Sequence, residues 1–345
     1  MSANISRALA DAESATEFFR AVVEPLSDTF SRAAVDEYAR LMKDVPGCDY
    51  WRFQRVRQQR PCIVDSVDVV VLSRITLGAD VAVTSVILDA VKRRFPQARL
   101  WFCGSRKNFE LFENDSRIER LAFDYPRRGS ILDRIRAAQA IPLPPEALVI
   151  DPDSRITQLG LVPVCLERNY FFFESRSYGE ETGDPLPVLA ARWCQETFGV
   201  RDARAFIAPN SALEGADTAI SLGVGGNAAK RLDASFERRL IEEAVARGSV
   251  LIDRGAGGEE AERVSRACDG LLVRFADGSF AEFAAAIARS KSYIGYDSAG
   301  QHVAAACGVP LTVYFTGAIN DRFRARWRPY GSGPVDVRDI ESRLE

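Results

Sequence analysis

The chain has 345 residues, with 45 lysines and arginines against 48 aspartates and glutamates, a formal net charge of -3, 47% hydrophobic and 27% charged residues. That length holds two globular domains of ordinary size, and the near-neutral balance excludes a global pull on nucleic acid, so any anion site must be local. Seven cysteines, odd in number and without a CxxC pair, argue against a disulfide framework and a cysteine-ligated zinc, and no run reaches the roughly eighteen apolar residues of a membrane span, so the reading is a cytoplasmic protein, with peripheral attachment at the inner membrane left open.

Residues 3–43 carry apolar side chains at helical spacing (Ile5, Leu9, Phe18, Phe19 and Val22, then Phe30, Val35, Tyr38, Leu41 and Met42), broken near Pro25, which predicts two amphipathic helices. Residues 51–60, "WRFQRVRQQR", hold four arginines and no acid, which predicts a solvated connector, with contact to an acceptor or phosphate as the sharper alternative. Residues 1–66 are thus a helical extension and linker.

From residue 67 strands and helices alternate. "VDVVVLSR" (67–74), "ARLWFCG" (98–104), "RLAF" (120–123) and "ALVID" (147–151) read as strands, with a helix over 80–95. The pattern returns after 215 with strands at 217–226, 249–255, "LLVRF" (271–275), "SYIGYD" (292–297) and 310–315, and with helices over 233–247, 258–268 and 279–290. Near-continuous apolar strands linked by amphipathic helices mean α/β parallel sheets covered on both faces. Two such sets, separated by a proline- and glycine-bearing stretch near 179–215, predict two doubly wound, Rossmann-like domains over 67–200 and 215–335.

Chemistry is expected where strands end. "SRITLGADVAVTS" (73–85) puts Asp80 after the first strand, as a helix cap or as a general base. "VIDPDSR" (149–155) holds Asp151 and Asp153, read as turn-capping acids in preference to metal ligands. "GVGGNAAKR" (223–231) offers Gly225 and its neighbouring glycines for close backbone approach to an anion, Asn227 in the same turn, and the charges of Lys230 and Arg231. It matches neither a Walker loop nor GxGxxG, and a plain turn is the bland alternative. "IDRGAGGEEAER" (252–263) sets Glu259 and Glu260 at a helix start, complementing its dipole or accepting hydrogen bonds from ribose hydroxyls. "GYDSAGQHVAAACGVP" (295–310) contains the only histidine, His302, in a helix that starts near Asp297 and Ser298 and offers free N–H groups to a phosphate.

Taken together, "YIGYDSAGQHVAAACGVPLTVYFTG" with "RWRPYG" (326–331), "LGADVAVTSVILDAVKRRFPQARLWF" and "GGNAAKRLDASFERRLI" resemble the heptosyltransferases, glycosyltransferase family 9, over about residues 68–330. The resemblance implies a two-domain GT-B fold and transfer of a sugar, with inversion and without metal or other cofactor, from a nucleoside diphosphate sugar of the ADP-heptose kind to a hydroxyl of a glycan, lipid-linked or small-molecule acceptor. It implies Asp80 as the base, Lys230 as the diphosphate contact, Glu259 or Glu260 as the ribose contact, and Asp297, Ser298, Ala299, Gly300 and His302 as the phosphate-binding helix start. The chain departs from the family pattern in an extra Ala79 between Gly78 and Asp80, and in Ser298-Ala299 where the pattern has Thr-Gly. A sugar-nucleotide epimerase on the same fold and a catalytically silent sugar-nucleotide-binding protein are the rival expectations.

Overall fold

A computed structural model of the chain describes residues 3–224, 231–255, 257–316 and 320–340. It divides into two compact units, Met1–Phe109 with Ser116–Arg204, and Glu110–Asp115 with Ala205–Glu345.

The first unit begins with α1 (Ala3–Ala8), α2 (Ala12–Phe18), a π turn (Phe19–Val23), α3 (Glu24–Asp28), α4 (Arg32–Met42) and α5 (Tyr50–Val56). Apolar spacing alone predicts two helices here, and N-caps divide them further. Asp11, Ser31 and Asp49 adopt extended backbone and accept the N–H groups of Ser14, Ala34 and Arg52, which starts α2, α4 and α5 anew. The expected solvated connector at 51–60 is instead largely α5, with Arg52 and Arg57 turned inward. Arg57 pairs with Glu174 at 2.9 Å and with Asp36, and the Arg52 guanidinium lies 4.3 Å over the Tyr170 ring. Burial is tolerable because the charge of Arg57 is paired and the flat guanidinium of Arg52 has an aromatic face.

The sheet of this unit follows: β1 (Asp68–Leu72), α6 (Leu77–Ala79), a π turn (Asp80–Thr84), α7 (Ser85–Arg94), β2 (Arg99–Gly104), α8 (Arg106–Phe109), β3 (Ile118–Ala122), α9 (Ile131–Gln139), β4 (Leu148–Asp151), β5 (Tyr170–Phe172) and α10 (Leu186–Phe198). The strands are parallel in the order β3-β2-β1-β4-β5. Alternate residues serve opposite faces. Val70 and Leu72, with Val149, Tyr170 and Phe172, join one core with Ile5, Phe19, Val35, Tyr38, Met42 and Phe53 of the extension and Ile131 and Ile135 of α9. The helices between Ala3 and Val56 therefore form a layer on one face of this sheet. The expected separator at 179–215 contains α10, which packs on α7 and ends at Gly199 in the left-handed region (φ 70°).

The second unit runs β6 (Thr218–Ser221), α11 (Ala234–Val245), β7 (Val250–Asp253), α12 (Gly258–Ala267), β8 (Arg274–Ala276), α13 (Phe280–Ala288), β9 (Ser292–Tyr296), α14 (Ala299–Ala306), β10 (Leu311–Thr316), α15 (Asp321–Trp327) and β11 (Val335–Ile340). Its parallel order is β11-β10-β9-β6-β7-β8. The strand expected at "LLVRF" slips toward the carboxyl side and pairs only over 274–276, leaving Leu272 90% exposed. No helix among the described residues is long and apolar enough to cross a membrane.

Because the extension supplies a core layer, Phe53→Ala will weaken the first unit itself. Phe53 is fully buried, with its ring edge-on to Phe172 at 6.0 Å. Denaturant melts should show a loss of about 3–5 kcal/mol. Trp51→Ala, two residues away and 65% exposed, should stay within about 0.5 kcal/mol. Equal melts for Phe53→Ala and the wild type would make the extension an appendage.

Candidate functional site

In the second unit the chain winds outward from β6 through β7 to β8, crosses back by α13 to the other side of β6, and winds outward again through β9, β10 and β11. Right-handed crossovers put α11 with α12 on one face and α13 with α14 on the other. The winding reverses between β6 and β9, and ligands of such sheets bind beyond the carboxyl ends of the strands at that point. Ser221 is in register with Asp253 on one side and Gly295 on the other, so the turns after β6, β7 and β9 emerge side by side.

These turns hold most of the sequence candidates. Gly225, Asn227 and Lys230 lie outside the described residues, and Arg231 is exposed beyond them. Of the two glutamates, Glu259 faces solvent, whereas Glu260 reaches back from the first turn of α12 and accepts the Val224 N–H at 3.3 Å. Gly255 sits at φ +78° beneath that carboxylate, and a Cβ there would stand 2.0 Å from Glu260 Oε1. The positive φ requires the glycine, and a Cβ there would also push the Glu260 carboxylate aside.

α14 begins without a side-chain cap, as does α12 at Gly257. Asp233 and Ser279 cap α11 and α13 through their side chains, but Ser298, though extended, makes no side-chain cap. The Asp297 carboxylate accepts instead from Gln301 Nε2 at 2.6 Å, and Gln301 is fully buried. Gln301 Oε1 and, at the end of β10, Thr316 Oγ1 are buried without a hydrogen-bond partner among the described residues. His302 is 5% exposed, with its ring against Trp327 (centroids 5.8 Å apart). Ala299 is half-buried, and Gly300 is shaped by packing, since a Cβ there would stand 2.2 Å from Tyr293 Oη. The structure thus brings Glu260 to the β6 turn and gathers Asp297, Ser298, Ala299, Gly300 and His302 at one helix start.

A group that sequence reading missed brackets the glycine-rich stretch. Glu237 of α11, 1% exposed, accepts the Tyr296 hydroxyl at 2.9 Å and pairs with Arg263 of α12. Tyr296 Oη in turn accepts the Leu232 N–H at 3.1 Å, and Arg263 Nη2 donates to the Leu222 carbonyl at 2.7 Å. Burial, and then the Glu237 charge beside it, pushes the Tyr296 phenol well above its ordinary pKa. Tyr296 stands inside the conspicuous "YIGYDSAGQH", but nothing in the spacing ties it to Glu237 or Arg263.

In the first unit the winding reverses between β1 and β4, and here side chains stitch the crevice. Ser154 Oγ donates to the Ser73 carbonyl, and Arg74 Nη1 donates to the Pro152 carbonyl and to Ser175 Oγ. Asp80 is fully buried, and four donors take up its carboxylate: Ser73 Oγ (2.6 Å), the Arg74 N–H (2.7 Å), Thr84 Oγ1 (2.7 Å) and Asn108 Nδ2 (2.6 Å). Burial pushes its pKa up, and these donors only partly offset that. No lone pair is left over for an acceptor hydroxyl unless a donor lets go. Asp151 accepts from the Ser154 N–H, Thr157 and Tyr170 and so caps its own turn, whereas Asp153 caps no local turn and is held in a buried ion pair with Arg176 at 2.9 Å.

A cavity of about 580 Å³ lies at the amino ends of β6, β9, β10 and β11, lined among others by Asp217, Lys291, Pro310 and Asp336. That is the opposite end of the sheet from the turns above.

No protein-family model and no curated protein sequence matches the chain. Among solved structures, a glycosyl transferase family 9 protein from Veillonella parvula DSM 2008 is similar with TM-score 0.59 and 18% identity, over 81% of this chain and 88% of that one. E. coli heptosyltransferase WaaC with ADP is similar with TM-score 0.58 and 14% identity, over 78% and 93%. E. coli ADP-heptose lps heptosyltransferase II is similar with TM-score 0.51 and 14% identity, over 79% and 90%. At such identities the likeness is one of fold: two Rossmann-like units of the GT-B kind.

The buried acids give a pH signature. Burial pushes the Asp151 carboxyl from its ordinary 3.8 up to about 6. The folded state therefore holds this proton more tightly than the unfolded chain, and the stability so gained is full below about pH 4 and lost as pH rises to about 6. Asp151→Asn mimics the protonated form and does not titrate. Its denaturant midpoint relative to wild type should climb between pH 4 and 6 and level off above; a difference flat across that range would place Asp151 in a wetter setting.

Proposed function

We propose that the chain binds a nucleoside diphosphate sugar in its second unit and transfers the sugar, with inversion, to an acceptor hydroxyl. The observation that carries this reading is that β6 ends, leading into the glycine-rich stretch, beside β9 and the start of α14, which lacks a side-chain cap, at the point where the sheet reverses its winding. The N–H groups at the start of α14 would face the diphosphate. Lys230 and Arg231, placed by sequence on the glycine-rich stretch, would add charge, and Glu260 would accept from the ribose hydroxyls. E. coli heptosyltransferase WaaC, solved with ADP and with ADP-2-deoxy-2-fluoro heptose, supports an adenine nucleotide and a heptose-like sugar as the first donor to try.

In this reading the acceptor oxygen attacks the anomeric carbon as the bond to the diphosphate breaks. The leaving charge falls on helix N–H groups and cationic side chains, each worth roughly 3–4 kcal/mol when removed singly. Transfer then needs no metal, in keeping with the internal use of Asp151 and Asp153. The acceptor proton would pass to Asp80, which must first shed one of its four donors. The closure around Asp80 favours a second reading, a sugar-nucleotide-binding protein without turnover.

Thermal-shift measurements across nucleoside diphosphates and their sugars test the binding step, since a ligand of the folded state raises its stability by RT ln(1 + [L]/Kd). We expect a rise with ADP and ADP-sugars that Lys230→Ala diminishes; no rise with any nucleotide removes both readings. Release of free nucleoside diphosphate, measured with an acceptor panel in EDTA, then separates transfer from binding alone. If Asp80 is the base, Asp80→Asn should bind ADP as wild type does and lose about 10²–10⁴ in kcat. An unchanged kcat would leave Asp80 a purely structural acid.

A further inference from the structure

The glycine-rich stretch leaves β6 at Leu222 and enters α11 after Leu232, and both flanking backbone groups hang from one buried carboxylate. The Leu222 carbonyl is held by Arg263 and the Leu232 N–H by Tyr296, and Arg263 and Tyr296 are both held by Glu237. The three side chains come from α12, β9 and α11, elements joined by no short connection. An ordinary turn needs no such arrangement. A charge-assisted pair of this kind is strong when complete and costly when broken, because its members are desolvated. It therefore fixes how far apart, and in what direction, the stretch begins and ends.

We infer that Glu237, Tyr296 and Arg263 are positioning residues for the donor diphosphate: they touch no ligand, and they set the entry and exit of the stretch that does. The inference rests on the donor reading of the second unit. It assigns phosphate affinity to residues that face the core, through the two backbone groups they hold. Base and ribose should not sense the loss of the Tyr296 hydroxyl, because Glu260, the ribose contact of that reading, meets the stretch at Val224, beside the Leu222 end that Arg263 still holds.

Tyr296→Phe tests it by removing one oxygen while keeping the ring in the core. Tyr314→Phe is the control, for Tyr314 belongs to the same apolar cluster but its hydroxyl accepts from Arg338. Three quantities are measured by calorimetry and amide exchange: affinity for ADP, affinity for adenosine, and the exchange rate of the Leu232 amide. We expect Tyr296→Phe to weaken ADP about tenfold, which is the scale of one lost net hydrogen bond, to leave adenosine unchanged, and to speed Leu232 exchange. Tyr314→Phe should match wild type in all three. ADP affinity or Leu232 exchange in Tyr296→Phe equal to wild type overturns the inference, as does a parallel loss of adenosine affinity. A wild-type protein that binds no ADP defeats the donor reading instead, and the positioning of a diphosphate falls with it.

Discussion

A parallel sheet built from right-handed crossovers has to reverse its winding once if helices are to cover both faces, and the candidate site residues of this chain cluster where that happens. At the reversal the two neighbouring strands send their chains to opposite faces, so their carboxyl ends part and leave a crevice. The chain meets this constraint twice and resolves it in opposite ways. Between β1 and β4 the crevice is filled by Ser73, Arg74, Ser154 and Ser175 bonding to one another and to main chain. Two residues beside this filling take left-handed backbone. Ile75 lies at φ 63° and Asp153 at φ 70°, a region that costs a β-branched residue roughly 1–3 kcal/mol. Between β6 and β9 the turns carry glycines and a helix start whose N-cap side chain does not cap it.

The strand-and-helix alternation was legible because apolar runs such as "DVVVL" and "VLID" are buried on both faces and cannot be mistaken for amphipathic surface. What escaped was structure whose burial comes from distant partners. β5 is only Tyr170–Phe172, too short to show a period, and becomes a strand because β4 lies beside it. β11 alternates Val335, Asp336, Val337, Arg338, the charged pattern of an exposed edge. α10 was hidden by its prolines, which open the helix at its first turn. In the site, the candidates near each strand end were legible, and the structure separates Glu260 from Glu259. The Glu237–Arg263–Tyr296 group was not, because three residues from three elements leave no mark on sequence spacing.

The buried acids are sorted by how their charge is answered. Glu237 and Asp153 each face a guanidinium. Burial raises the Asp153 carboxyl, and Arg176 and Arg74 more than reverse that, leaving it below its ordinary value. Asp80 and Asp151 are answered mainly by hydroxyl, amide and main-chain donors, and burial keeps both raised. Ionised pairs tie elements together, whereas acids held by neutral donors stay within reach of protonation.

Asp80 owes its place to the helix that follows it. Relative to the heptosyltransferase pattern the chain has one residue more between Gly78 and Asp80, and in a regular α-helix one added residue turns every later side chain by about 100°. Such a rotation would carry Val86, Ile87, Ala90 and Val91, all buried, out of the core. Expelling several such side chains costs about 1.5–3 kcal/mol for each of the larger ones. A single π turn absorbs one residue without that rotation, and the structure places one over Asp80–Thr84, directly after Ala79. The core thus keeps its register, and the inserted residue is accommodated at the start of the helix. There Ala79 stands where the family pattern has its aspartate. Asp80, one step on, meets Ser73, Thr84 and Asn108. Packing of α7 decides the geometry of the acid, and the chemistry open to it is what that packing leaves.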